Sequence, residues 1–134
     1  MAHLLIIDDD PAVGLTFRRM LEVTGHRVSR ALSADEGLAQ LNGDPPDAIL
    51  LDMRMPVMDG LEFLRRLRQD DRLKTLPVGI VTGDYFLNEQ VLAEISELGA
   101  AVRYKPVAME DLHALAGVLL NQTPSAPGTD PSRT

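Results

Sequence analysis

The chain has 134 residues, enough for one domain with a proper core, and its 45% hydrophobic and 25% charged content is ordinary for a globular protein. A net charge of −7 argues against nucleic-acid binding through bulk electrostatics, and the lack of cysteine excludes disulfides and thiolate metal sites. No apolar stretch approaches the roughly 18 residues of a membrane span, and Met1-Ala2-His3 lacks the basic region and apolar core of a signal peptide, so a cytoplasmic setting with no membrane partner is expected.

The first apolar run, Leu4-Leu5-Ile6-Ile7, reads as a strand and ends in Asp8 and Asp9. Asp10-Pro11 then reads as an N-cap followed by proline at the first helical position. Val13, Phe17, Met20 and Leu21 share one face of the helix that follows, and Gly25 sits where its C-terminal cap belongs. The second run covers 27–32, and Ser33-Ala34-Asp35-Glu36 is a capping box. The third run, 48–51, ends in Asp52. After the turn Arg54-Met55-Pro56-Val57-Met58, Asp59 opens a third helix with Glu62 three residues on, which resembles the same capping device. Arg65-Arg66-Leu67-Arg68 reads as the solvated face of that helix.

The fourth run, 78–81, leads into Thr82 and Gly83. Val91, Leu92, Ile95 and Leu98 share a face of a fourth helix, with Gly99 at its end. The fifth run, 101–104, precedes Lys105-Pro106, and Leu112, Leu115, Ala116 and Leu119 face one way on a last helix. Beyond about Asn121 the composition turns to proline, serine and threonine, too polar to pack. A folded domain over 1–121 and a disordered tail or linker stub over 122–134 are expected, the tail being unable to form a DNA-binding module. The (βα)5 alternation implies an α/β fold: a doubly wound, five-stranded parallel sheet in a flavodoxin-like three-layer sandwich. Nearly continuous apolar strands fit burial on both faces.

Residues at the C-terminal ends of parallel strands gather on one sheet edge. That edge would carry Asp8, Asp9 and Asp52. Three such carboxylates repel one another unless a cation sits among them. Oxygen-only ligands favour Mg²⁺, and the scattered His3, His26 and His113 supply no zinc set. The hydroxyl of Thr82 and the ammonium of Lys105 reach the same edge. A carboxylate nucleophile, a cation, a hydroxyl and a lysine together make a phosphoryl site.

With Asp8-Asp9, the segment Asp52-x-x-Met55-Pro56-x-Met58-Asp59-Gly60, Thr82 and Lys105-Pro106 in this order, residues 3–121 closely resemble a response-regulator receiver domain of two-component signalling, here as a stand-alone receiver. The resemblance implies that Asp52 is the phosphoacceptor. It implies Mg²⁺ bound by Asp9 directly, by Asp8 through water, by Asp52 and by the backbone carbonyl of Arg54. Thr82 would be the switching hydroxyl and Lys105 the phosphoryl contact, and the Lys105–Pro106 peptide would be cis. Asp59 is then a helix cap. The implied donor is a histidine kinase or histidine phosphotransfer protein. The implied output is an unidentified protein partner over the fourth helix, fifth strand and fifth helix, with no direct nucleic-acid contact and a homodimer left open. The chain would catalyse only its own phosphorylation and dephosphorylation.

The chain departs from the family where an aromatic residue usually stands three positions before the lysine: here that is Val102. Tyr104 lies on the same strand face and is expected to supply part of the missing aromatic surface. Gly83, after the threonine, replaces the usual small alanine and keeps the pocket open. Arg54 and Asp84 are expected to pair at the pocket mouth and hinder the water that hydrolyses the acyl phosphate. Two rivals are a degenerate receiver acting as a constitutive interaction module and a magnesium-dependent phosphatase with an aspartyl nucleophile. The second generally wants an acid two residues after its nucleophile, where this chain has Arg54.

Overall fold

A computed structural model describes residues 2–121, so the expected tail over 122–134 lies outside the described residues. Strands and helices alternate as β1 (His3–Ile7), α1 (Pro11–Glu22), β2 (Arg27–Ala31), α2 (Ala34–Leu41), β3 (Ala48–Leu51), α3 (Gly60–Gln69), β4 (Val78–Thr82), α4 (Glu89–Glu97), β5 (Ala101–Tyr104) and α5 (Met109–Leu120). The five strands form one parallel sheet in the order β2-β1-β3-β4-β5.

Alternation along the strands divides the core in two. Leu5, Ile7, Ile49, Leu51, Val78 and Ile80 pack with Leu41, Phe63, Leu64, Leu67 and Ile95, which places α2, α3 and α4 on one face. Leu4, Ile6, Leu50 and Val81 pack with Phe17, Leu21, Leu112, Leu115 and Leu119, which places α1 and α5 on the other. Strands β1, β3 and β4 are buried throughout, as their unbroken apolar runs require. No helix among the described residues is long and apolar enough to cross a membrane.

The helix ends follow the local chemistry of the sequence. The Asp10 side chain accepts the Ala12 N–H, Ser33 accepts the Glu36 N–H, and Asp59 accepts the Glu62 N–H. Gly25 and Gly99 both adopt positive φ just past their helices. The capping boxes are only half built. The Glu36 carboxylate accepts the Leu32 N–H instead of reaching Ser33, and Glu62 is held by Arg66 and Arg65. Asn88 caps α4 by accepting the Val91 N–H.

The arginine run on α3 is more than a solvated face. Arg66 pairs with Glu62 on its own helix, but Arg65 makes a two-pronged contact with Glu94 of α4 at 2.6 and 2.8 Å. Arg68 turns inward and donates to the carbonyls of Leu98, just past α4, and Leu76, just before β4, at 2.6 and 2.7 Å. Its half-burial lowers its pKa from the ordinary arginine value.

Candidate phosphoryl and metal site

The pairing of the strands continues one residue past their ends and assembles the site. The Asp52 N–H donates to the Ile7 carbonyl at 2.9 Å, the Asp8 N–H to Ala31 at 3.1 Å and the Lys105 N–H to Thr82 at 2.8 Å. These bonds hold Asp8, Asp52, Thr82 and Lys105 on one edge. The cleft there is about 530 Å³ and is lined by the acids Asp8, Asp9, Asp10 and Asp52 with Arg54, Gly83, Asp84, Phe86 and Lys105.

Within the cleft, Asp8, Asp52 and Thr82 are buried and Asp9 is exposed. One carboxylate oxygen from each of Asp8, Asp9 and Asp52 lies within 4.8 Å of the other two. Lys105 Nζ is 2.7 Å from Asp8 Oδ2 and 3.8 Å from Asp52 Oδ2. Asp8 Oδ1 accepts the Asp10 N–H at 2.9 Å, so both Asp8 oxygens are engaged. Asp52 Oδ1, by contrast, is buried without a hydrogen-bond partner. Burial, and then the charge of Asp8, push the Asp52 carboxyl above its ordinary pKa. Lys105, the Arg54 N–H and the Thr82 hydroxyl work in the opposite direction without cancelling this.

A hard divalent cation fits this arrangement. The orphaned, buried Asp52 Oδ1 beside two further carboxylates leaves an oxygen donor set of three acids against the single ammonium of Lys105, with negative charge in excess. Asp8, Asp9 and Asp52 are the side chains that could hold it.

The loop after Asp52 depends on two backbone features. A Cβ at Gly60 would collide with the Asp52 carbonyl oxygen and come within 2.9 Å of Met53 Cα, so only glycine lets α3 start against the nucleophile segment. The Gly60 N–H donates to the Met53 carbonyl there at 3.0 Å. Val57 is the one non-glycine residue with positive φ among the described residues, at 73°. The Met58 N–H reaches the Pro56 carbonyl across it at 2.8 Å, which makes a strained γ-turn. Its side chain is fully exposed.

Arg54 and Asp84 meet at the mouth, Nη1 to Oδ2 at 2.8 Å. The Arg54 guanidinium, with the Phe86 N–H on the other oxygen, holds the Asp84 carboxyl below its usual range. The Lys105–Pro106 peptide is cis. Thr82 Oγ1 accepts the Asp84 N–H at 3.1 Å. Val102 is half-buried against the core on the α2–α4 face, where it offers no ring. Tyr104 stacks on Tyr85 with ring centroids 5.6 Å apart and planes 25° from parallel.

Sequence reasoning places Asp8, Asp9, Asp52, Arg54, Asp84, Thr82 and Lys105 at this edge, and the structure brings all seven together. It misses Phe86 at the rim and Tyr85 as the partner of Tyr104. The available signal is compositional: the chain has five aromatic residues, and two of them, Tyr85 and Phe86, stand side by side just past Thr82.

The model of the response regulator receiver domain family matches residues 4–116. The chain is 37% identical over 123 residues to Response regulator MprA of Mycolicibacterium vanbaalenii, a match over 90% of this chain and 51% of that protein. It is 38% identical over 123 residues to Response regulator MprA of Mycobacterium ulcerans, with the same coverage of 90% and 51%. The chain thus spans about half the length of the curated relatives it matches. Among solved structures, chemotaxis protein CheY4 of Vibrio cholerae superposes with a TM-score of 0.81 at 28% identity, over 90% of this chain and 99% of that one. The receiver domain of a signal transduction histidine kinase from Syntrophus aciditrophicus gives a TM-score of 0.83 at 26% identity, over 98% and 99%. With five parallel strands in this order and a matched span that runs from β1 into α5, the chain belongs to the response regulator receiver domain family.

Proposed function

We propose that this receiver domain accepts a phosphoryl group on Asp52 from the phosphohistidine of a histidine kinase or histidine phosphotransfer protein. The observation that carries the reading is the orphaned Asp52 Oδ1, buried beside two further carboxylates with the Lys105 ammonium 3.8 Å from the other oxygen. In the transfer, a carboxylate oxygen of Asp52 forms the new P–O bond as the P–N bond to the donor histidine breaks. The imidazole leaves and takes up a proton, and the product is an acyl phosphate. Bound Mg²⁺, held by Asp9, Asp52, the Arg54 carbonyl and, through water, Asp8, would neutralise charge on the phosphoryl oxygens. Lys105 would leave Asp8 for a phosphoryl oxygen, and the Thr82 hydroxyl would hydrogen-bond another.

The new charge shifts a two-state equilibrium through Thr82 and the β4–α4 loop, and a protein partner reads it over α4, β5 and α5. The domain works in the cytoplasm as a signalling module, catalysing only its own phosphorylation and dephosphorylation. Arg54 stands where a phosphatase of the aspartyl-nucleophile type needs its second acid, and it is committed to Asp84. A titration with beryllofluoride and Mg²⁺, followed by fluorine NMR, tests the reading. Mg²⁺-dependent binding that Asp52→Asn abolishes is expected. No binding would turn the reading toward a constitutive interaction module, and turnover of phosphate esters toward the phosphatase.

A further inference from the structure

Helix α4 is held by few buried groups. It buries one side chain, Ile95, where α3 buries Leu61, Phe63, Leu64 and Leu67 and α5 buries Leu112, Leu115, Ala116 and Leu119. Val91 and the capping residue Leu98 are only partly buried against the core. Polar attachment comes from two arginines of α3. Arg65 forks onto Glu94, Nε to Oε2 at 2.6 Å and Nη2 to Oε1 at 2.8 Å, and Arg68 Nε donates to the Leu98 carbonyl at 2.6 Å. Among the described residues, these are the side-chain hydrogen bonds that join α4 and its cap to another element.

The attachments are uneven along the helix. Glu94, Ile95 and Leu98 all belong to its second half. At its first half lies a groove of about 350 Å³, whose apolar lining is Met53, Met55 and Leu61 from the β3–α3 segment and Leu87 and Val91 from α4 and its approach. The two arginines also differ. Arg68 is half-buried, its Nη1 is fixed on the Leu76 carbonyl at 2.7 Å, and the helix dipole favours a cation at the last carbonyls of α4. Arg65 and Glu94 stay partly solvated, so salt screens their attraction. Arg65 Nη1 is also 3.6 Å from Glu62 Oε1 on its own helix, which offers it another partner when Glu94 leaves.

We propose that α4 is a hinged lid over the groove of Met53, Met55 and Leu61, with Arg68 on Leu98 as the hinge and the Arg65–Glu94 fork as a salt-sensitive latch. At 1.5 Å of rise per residue, Glu94 lies about 6 Å along the helix from Leu98, so a tilt of about 20° moves it about 2 Å and parts the fork. The same tilt lifts Val91 and Leu87 off the groove by more, because they lie farther from the pivot. With one fully buried side chain and a solvated ion pair to restrain it, the lid opens without global unfolding. A partner that needs the open lid has to break the fork, so the latch and the ionic strength set how tightly such a partner binds. The hinge stands apart from the phosphoacceptor reading; its use in signalling rests on α4 belonging to the proposed partner face.

The chain has no cysteine, so a single introduced thiol reports the groove. The experiment places Leu61→Cys in the groove and, in a second full chain, Leu112→Cys under α5 as a reporter of global unfolding; both positions are buried. Alkylation by iodoacetamide is followed by intact mass, and each rate is divided by that of the same chain unfolded in urea. The Leu61→Cys thiol should react several-fold faster than the Leu112→Cys thiol. Added sodium chloride should raise the rate at Leu61→Cys alone. Glu94→Gln, which weakens the fork and keeps its shape, should raise it several-fold and remove most of the salt effect. Equal rates at the two positions would mean that the groove opens only with the whole fold, and would overturn the lid. A rise at both positions together in Glu94→Gln would make the fork a general stabilising contact and overturn the latch. A fast Leu61→Cys rate that neither salt nor Glu94→Gln changes would overturn the latch as well.

Discussion

Replacing Asp52 by asparagine should stabilise the metal-free fold. The oxygens of Asp8, Asp9 and Asp52 lie within 4.8 Å of one another, so each pair repels by about 3 kcal/mol at an effective dielectric of about 20. Lys105, at 3.8 Å from Asp52, returns about 4 kcal/mol on the same scale. Asp52 thus faces two repulsions and one attraction, and solvent at the exposed Asp9 screens the balance to a net penalty of about 1–2 kcal/mol. Asparagine removes the charge and keeps the shape. Urea unfolding at neutral pH, low salt and with a chelator present should show Asp52→Asn more stable by that amount, or about 3–6 °C in Tm. Added Mg²⁺ should close the gap by stabilising the wild type more than the variant.

The pH dependence has a fixed sign. Burial, with Asp8 beside it, raises the folded-state pKa of Asp52 above its ordinary unfolded-chain value, so the folded protein holds this proton more tightly than the unfolded chain. Wild-type stability relative to Asp52→Asn must therefore fall as pH rises from about that unfolded value through the raised folded one. A variant equal to or weaker than the wild type in chelator, or a difference that does not vary with pH, would refute the electrostatic reasoning.

Three further outcomes follow from the loops. Val57→Gly relieves a strained positive φ at a fully exposed side chain and should gain about 1 kcal/mol net of glycine's greater unfolded-state entropy, read as a higher urea midpoint. Gly60→Ala should cost about 2 kcal/mol or more, because the added methyl meets the Asp52 and Met53 backbone and not a side chain that can turn away. It should also slow phosphorylation by small donors, since the displaced atoms belong to Asp52. Arg54→Ala frees Asp84 and opens the mouth to water, so the phosphorylated variant should lose its phosphate faster than the wild type. Equal dephosphorylation rates would remove the pair from any role in phosphoryl lifetime.

The sheet and most of the site could be read from the sequence because both are written in strand ends. Leu4–Ile7 and Ile49–Leu51 are apolar on every residue, so the acid that ends each run is placed on one edge with no knowledge of packing. Asp10, Ser33 and Asp59 mark helix starts through chemistry confined to three or four residues. What escaped was set by neighbours distant in sequence. Arg68 looks like its solvated neighbours but meets carbonyls at the α4 end and before β4. Tyr85 finds Tyr104 only because β4 and β5 pair side by side. Val57 shows the limit most sharply, for a β-branched residue gives no local hint of positive φ, and the path from Asp52 to Gly60 imposes it.

The central claim is that Asp52 takes the phosphoryl group. Intact-mass spectrometry after incubation with acetyl phosphate and Mg²⁺ tests it most directly. The account predicts one added phosphate on the wild type, lost on treatment with hydroxylamine as an acyl phosphate should be, and absent from Asp52→Asn. A wild type that gains no mass, or an Asp52→Asn variant that gains the same mass, would contradict it.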